Sequence, residues 1–331
     1  MISFGMSGRY KMEVREAGTD KLTKVREFDN LITNGGLDSY SGRSRKLSDN
    51  SYHSNNTYAC VVGTGTNAPT IHDSQLGHQI ARTESISGIS STKPKAPDYV
   101  SSYTAKYRFN VGAATGNLTE VGIASRYGSD EAYPLFSRAL ILDNGVPSSL
   151  TVLENEYLDV YYTIFFHPDL GDVEFTFNIG EETYEGTARF CGLGDSYVTF
   201  GNAFSIPHGV DIRTVYNDKM ELVDIDKYPE AKWIPGLKSA PTNNSYPALH
   251  AEYIPGSYYV LWRKSLRLAE ANVEGGFKGC LIQHTAFGNY GFTDNCMNAS
   301  SQVVFNKCIP KDDTNELNLV AKVSWHRYVE P

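Results

Sequence analysis

The side chains whose types could do chemistry are few, and their spacing argues against each in turn. GLGDSYVTF, from Gly192 to Phe200, holds Gly-Asp-Ser. A serine in that setting is a hydrolase nucleophile when it stands on a strand-to-helix turn with a histidine as its base. Both flanks here read as strand, and Gly, Asp and Ser are common turn formers, so the stretch reads as a turn. IHDSQLGHQI offers His72, Asp73 and His78. The two histidines suit neither one helix face nor a metal-ligand spacing, so all three read as solvated loop residues. Cys280, His284, Cys296 and Cys308 would make a four-ligand zinc set, but no close cysteine pair anchors it. GTGTNAP, from Gly63 to Pro69, precedes no evident helix and lacks the lysine of a phosphate loop. Glu154 and Glu156 read as carboxylates on an exposed strand face. The sequence therefore assigns no catalytic residue, no cofactor and no metal, and the chain reads as a non-enzyme.

Composition bounds the class of chain. The 331 residues are 40% hydrophobic and 21% charged, ordinary values for a folded chain with a real core. Twenty-two Tyr, 15 Phe and 29 Gly favour strands and tight turns over long helices. A net charge of -8 argues against nucleic acid, since the one short basic cluster, GRSRKL at Gly42–Leu47, is too small to track phosphates. No run of about 18 apolar residues spans a bilayer, and the N-terminal stretch lacks the apolar centre of a secretory signal. The five cysteines, Cys60, Cys191, Cys280, Cys296 and Cys308, are odd in number with no C-x-x-C pair, so reduced, buried thiols are expected.

The elements that must position these residues are strands. Tyr10–Glu16 and Leu22–Phe28 alternate around AGTDK as an opening hairpin. DNLITNGGLDSYSG follows, where Asp29 or Asn30 is expected to cap one short helical turn ended by Gly35-Gly36. Tyr58–Thr70 reads as a buried strand leaving through a loop of Gly, Thr, Asn and Pro. Asn144-Gly145, between two apolar runs, is a strong hairpin signal. YLDVYYTIFF puts Leu158, Val160, Tyr162, Ile164 and Phe166 on one face, and Val173–Phe190 reads as a second hairpin around Gly180–Glu182.

The fold class expected is mainly β, with an antiparallel β-sandwich-like N-terminal domain over residues 1–217. Pro229, Pro235, Pro241, Pro247 and Pro255 mark a connector over 218–255, because proline donates no ladder hydrogen bond. Four more strands from 256 to 331 are expected to form a smaller antiparallel sheet of their own. Within the connector, the aromatics Tyr228, Trp233, Tyr246 and Tyr253 are candidate partner-binding anchors.

Five phrases in order carry a resemblance: FDNLITNGGLDSYSG, CVVGTGTNAPTIHDSQLG, NLTEVGIASRYG, LFSRALI and SSLTVLENEYLDVYYTI. Together, over residues 28–164, they resemble the opening region of virion proteins of tailed bacteriophages, of the tail and tail-fibre kind. The resemblance implies a β-sandwich-like domain that docks into a symmetric particle with no enzymatic role. The expected function is thus a structural component of a tail, baseplate, collar or fibre base. Its partners would be other virion proteins and copies of itself, with a host surface receptor as a further partner. It would be made in the host bacterial cytoplasm and reside in the virion. The alternative is a receptor- or carbohydrate-binding module of a phage fibre, favoured by the tyrosines and by Trp233, Trp262 and Trp325.

Overall fold

The computed structural model describes residues 2–41, 54–92, 97–127, 134–191, 210–216, 221–222, 239–241, 248–249, 251, 253–284 and 301–330. The chain opens with strands β1 (Ile2–Glu16), β2 (Leu22–Asp29) and β3 (Leu31–Ile32), then helix α1 (Asn34–Tyr40). Next come β4 (Ser54–Gly63), β5 (Gln79–Thr83), β6 (Ile86–Thr92), β7 (Ser101–Phe109), β8 (Gly116–Leu118), β9 (Glu120–Tyr127) and β10 (Leu135–Leu140). Two short pieces, β11 (Leu142–Asp143) and β12 (Val146–Pro147), precede β13 (Leu150–Val152), β14 (Glu156–Pro168), β15 (Val173–Ile179) and β16 (Glu182–Phe190). The second half adds β17 (Val210–Tyr216), β18 (Ser239–Pro241), β19 (Ala248–Leu249), β20 (Tyr259–Leu266), β21 (Phe277–His284), β22 (Ser301–Ile309) and β23 (Leu317–Arg327).

The fold is mainly β, as expected, and its strands make three large sheets. An eight-stranded sheet runs β19-β20-β23-β1-β14-β7-β6, with β2 also on β1. A five-stranded sheet runs β3-β10-β9-β4-β5, and a six-stranded sheet runs β15-β16-β22-β21-β17-β18. β14 anchors the first of these for the reason its alternation gives: Leu158, Val160, Tyr162, Ile164 and Phe166 are all fully buried. Facing them from β1 are Tyr10 and Met12, and Phe136 from β10 meets Tyr162 edge-on at 6.3 Å. The Tyr10 hydroxyl and Ser137 Oγ, 2.8 Å apart, join the first sheet to the second inside this core.

The opening hairpin forms as read, and Asn144 and Gly145 both take positive φ, +51° and +80°, as a type I′ turn requires. The ribbon around that turn is only two residues long on each side, because β13 leaves it to pair with β8. The second hairpin, β15 with β16, turns at Gly180, whose φ is +60°.

Three expectations are corrected. Helix α1 is capped by Thr33, not by Asp29 or Asn30, and Gly35-Gly36 lie in its first turn, not at its end. Thr33 Oγ1 accepts the Gly36 N–H at 2.9 Å and donates to the Leu135 carbonyl at 2.5 Å, so a strand contact fixes where the helix starts. The four C-terminal strands do not form a sheet of their own. β20 and β23 extend the first sheet, where β23 lies parallel to β1 along Ile2–Met6, and β21 and β22 complete the sheet begun by β15 and β16. Each brings one apolar face, such as Val260 and Trp262 or Val323 and Trp325, which is buried only by joining sheets already built. Among the described residues the strands thus pair antiparallel except at β1 and β23, where the two ends of the described chain meet. Third, within the connector over 218–255, residues 239–241 and 248–249 are short strands paired back onto β17 and β20. The remainder lies largely outside the described residues.

Candidate functional site

Three of the five phrases meet at one buried ion network. Glu120 begins β9 and Arg138 lies on the adjacent β10, and both side chains are essentially out of solvent. Arg138 donates to Glu120 Oε2 from Nη2 at 2.8 Å and from Nε at 3.1 Å. Its Nη1 donates to Asp73 Oδ2 at 2.6 Å and its Nη2 to the Asn67 carbonyl at 3.1 Å. Glu120 also accepts the backbone N–H groups of Gly65, Gly77 and His78 at 2.8, 3.0 and 2.8 Å. Gly65 has to be glycine, since a Cβ there would run into the Glu120 carboxylate.

The electrostatics follow. Burial alone would raise the Glu120 carboxyl, but the His78 and Gly77 amides, the Arg138 guanidinium and the Gly65 amide hold it below the usual carboxylate range. Asp73 is held low in the same way, against burial, by Thr70 and Arg138. These acids stay ionised and exchange no proton near neutrality. Their work is mechanical: they pin the loop between β4 and β5. The loop closes on itself where the Thr64 N–H donates to the His78 carbonyl at 2.9 Å. Leu76 packs among Ala59, Val61, Ala124 and Leu135, and the Asn34 N–H, at the start of α1, donates to the Ile71 carbonyl at 2.7 Å. Asn67, Ala68, Thr70, Ile71 and His72 are left exposed on a preorganised loop.

Asp73 is therefore not a solvated loop residue, while His72 and His78 are exposed. Glu156 is likewise not on an exposed face. It is buried and bound by Lys24 at 3.0 Å and Thr23 at 2.8 Å, whereas Glu154 is exposed in a turn.

A second charged arrangement covers the outer face of the eight-stranded sheet. Glu13 on β1 and Asp159 on β14 are register partners. Asp159 takes a bidentate contact from Arg108, 2.7 Å at each oxygen, and Lys106 at 2.8 Å. Glu13 takes Lys11 at 2.7 Å and Arg15 at 2.8 Å. Burial would raise both carboxyls, but these cations hold both below the usual range. Two carboxylates held low together lack the raised partner that a general acid needs. Between them the Tyr161 ring lies under Lys11 and Lys106, at 5.4 and 5.3 Å. Further along β14, Ser7 Oγ and His167 Nε2 are 2.9 Å apart. Tyr328 stacks flat on the imidazole at 3.6 Å, in space left by Gly5.

Of the proposed anchors, Tyr228, Trp233 and Tyr246 lie outside the described residues, as does the whole of GLGDSYVTF. Tyr253 is committed to its own chain: its hydroxyl donates to Asp38 Oδ1 on α1 at 2.6 Å, and its ring stacks on Trp325 at 5.9 Å. Trp262 and Trp325 are buried in the core, so they present no face to a saccharide. Cys60 and Cys280 are free, buried thiols, and Cys191 is buried as well; burial raises Cys60 and pushes Cys280 up to about 12. Among the described residues no three His, Cys, Asp or Glu side chains converge on a metal position. A groove of about 720 Å³ lies against β15, β16 and β22, with Glu174, Glu185, Glu221 and Lys278 on its walls.

No family model, no curated protein and no solved structure matches this chain.

Proposed function

We propose that the chain is a structural component of a tailed-bacteriophage virion and acts by protein–protein assembly. The observation that carries this reading is the meeting of the phrases that suggested it. Asp73, Glu120 and Arg138 come from three of them and form one network, and Thr33 of a fourth binds the Leu135 carbonyl beside it. The phrases are parts of one construction whose charges set the shape of an exposed loop. Buried charges spent on loop geometry suit a part that must present a fixed surface to neighbours.

The partners proposed are other virion proteins and copies of this chain. The test is to grow the encoding phage with this gene silenced. Particles that stall or lack an identifiable part support the reading, and particles of unchanged composition and form overturn it.

A receptor- or carbohydrate-binding role is the second reading. It is favoured by the half-exposed stripe of Tyr161, Phe165 and His167 along the outer face of β14. Loss of host-cell binding in Tyr161→Ala, with particle assembly intact, would select it over the first.

A further inference from the structure

We infer that the free edge of β6 is a self-association edge, at which two copies of this chain pair their β6 strands antiparallel across a two-fold axis. The inference takes its biological setting from the assembly reading above.

β6 ends the eight-stranded sheet and pairs, among the described residues, with β7 alone. Which of its backbone groups face outward follows from the ladder. The Met6 and Gly8 carbonyls of β1 accept N–H groups from Tyr328 and Asn30, on the side away from β14. Odd-numbered residues of β1 therefore bond to β14. The registers carry that alternation across the sheet: even residues of β14 bond to β7, even residues of β7 bond to β6, and Gly88, Ser90 and Thr92 of β6 bond to β7. Ile89 and Ser91 thus direct their N–H and C=O groups to the free side.

The other edges are blunted. β2 carries Lys24, Arg26, Glu27 and Asp29, β5 carries Arg82 and β15 carries Glu174. β3, β18 and β19 have only two or three residues. Charge and shortness are the usual guards against edge pairing. β6, ISGISST, has seven residues with no charge and no proline, and Ile89 is 52% exposed.

The strand's own features point to a second copy as the occupant. An antiparallel edge is its own complement: about an axis at Ser90, Ile89 of one copy faces Ser91 of the other, and the reverse. An uncharged strand meets its copy with no like-charge contact, and Gly88, Ser90 and Ser91 are small enough for close approach. Beside it, the Arg82–Glu84 pair, 3.2 Å apart, neutralises the turn from β5.

The experiment is sedimentation of the full chain over a concentration series, with amide hydrogen exchange on the same samples. The expected result is a concentration-dependent dimer in which the Ile89 and Ser91 amides gain protection, while Gly88 and Ser90 are protected throughout. Ser91→Pro removes one outward donor and no bond to β7, and it should abolish the dimer. Ile89→Lys should do the same and serves if the proline variant does not fold. A wild-type chain that stays monomeric, or a dimer that both variants leave intact, overturns the inference. A monomer found as a particle component would refute the β6 contact alone, whereas a dimer absent from particles would refute the assembly reading alone.

Discussion

Arg138 and Glu120 stand on neighbouring antiparallel strands and meet through a two-point contact at 2.8 and 3.1 Å, with the guanidinium turned onward to Asp73. Removing one partner leaves the other buried and charged. Arg138→Met should therefore cost about 3–5 kcal/mol. Arg9→Met, which breaks an ion pair to Asp29 that is largely in solvent, should cost under about 1 kcal/mol. Urea unfolding of the two variants makes the comparison, and equal costs would mean the network is not the clamp described.

That clamp should also show in the loop it holds. In Glu120→Ala the amides of Gly65, Gly77 and His78 lose their common acceptor. Limited proteolysis should then cut between Gly65 and His78 well before it cuts elsewhere, while the wild-type loop resists. Unchanged cleavage would place the loop's order in other contacts.

The depressed carboxyls give stability a definite pH dependence. Glu13, Asp73, Glu120, Glu156 and Asp159 are all held below their ordinary values in the folded chain. The unfolded chain then binds protons first, so the stabilisation is complete above the free carboxylate range, about pH 4–5, and is lost as pH falls through the lower folded values. The urea midpoint should change little with these groups between about pH 7 and pH 5 and drop steeply below about pH 4. A midpoint flat to pH 3 would contradict it.

Two adjacent glycines should respond oppositely. A Cβ at Gly36 would run into the Phe136 backbone carbonyl, so Gly36→Ala should destabilise by about 1–3 kcal/mol. At Gly35 the nearest atom to a Cβ is 3.6 Å away, so Gly35→Ala should be neutral or stabilising by up to about 1 kcal/mol through helix propensity. Thermal melts of the pair decide it.

What was legible in the sequence was local. The burial of Leu158 to Phe166 follows from alternation within one strand, and the positive φ of Asn144 and Gly145 from side chains that tolerate it. The start of α1 was not legible, because Gly36 is required by a strand 100 residues away, not by its neighbours in the chain. Nor was the destination of β20 to β23: each reads correctly as a strand, but an alternating pattern says which face is buried and nothing about which sheet buries it. The network escaped for the same reason. Asp73 and Arg138 are 65 positions apart, and Thr70-x-x-Asp73 reads as an ordinary turn until Arg138 is placed beside it.

The measurement that bears most directly on the proposed virion role is quantitative mass spectrometry of gradient-purified particles of the phage proposed to encode this chain. A structural role requires this chain in every particle at a fixed copy number that matches a symmetric part of the virion. Particles that lack the chain, or carry it only in trace and variable amounts, would contradict the claim.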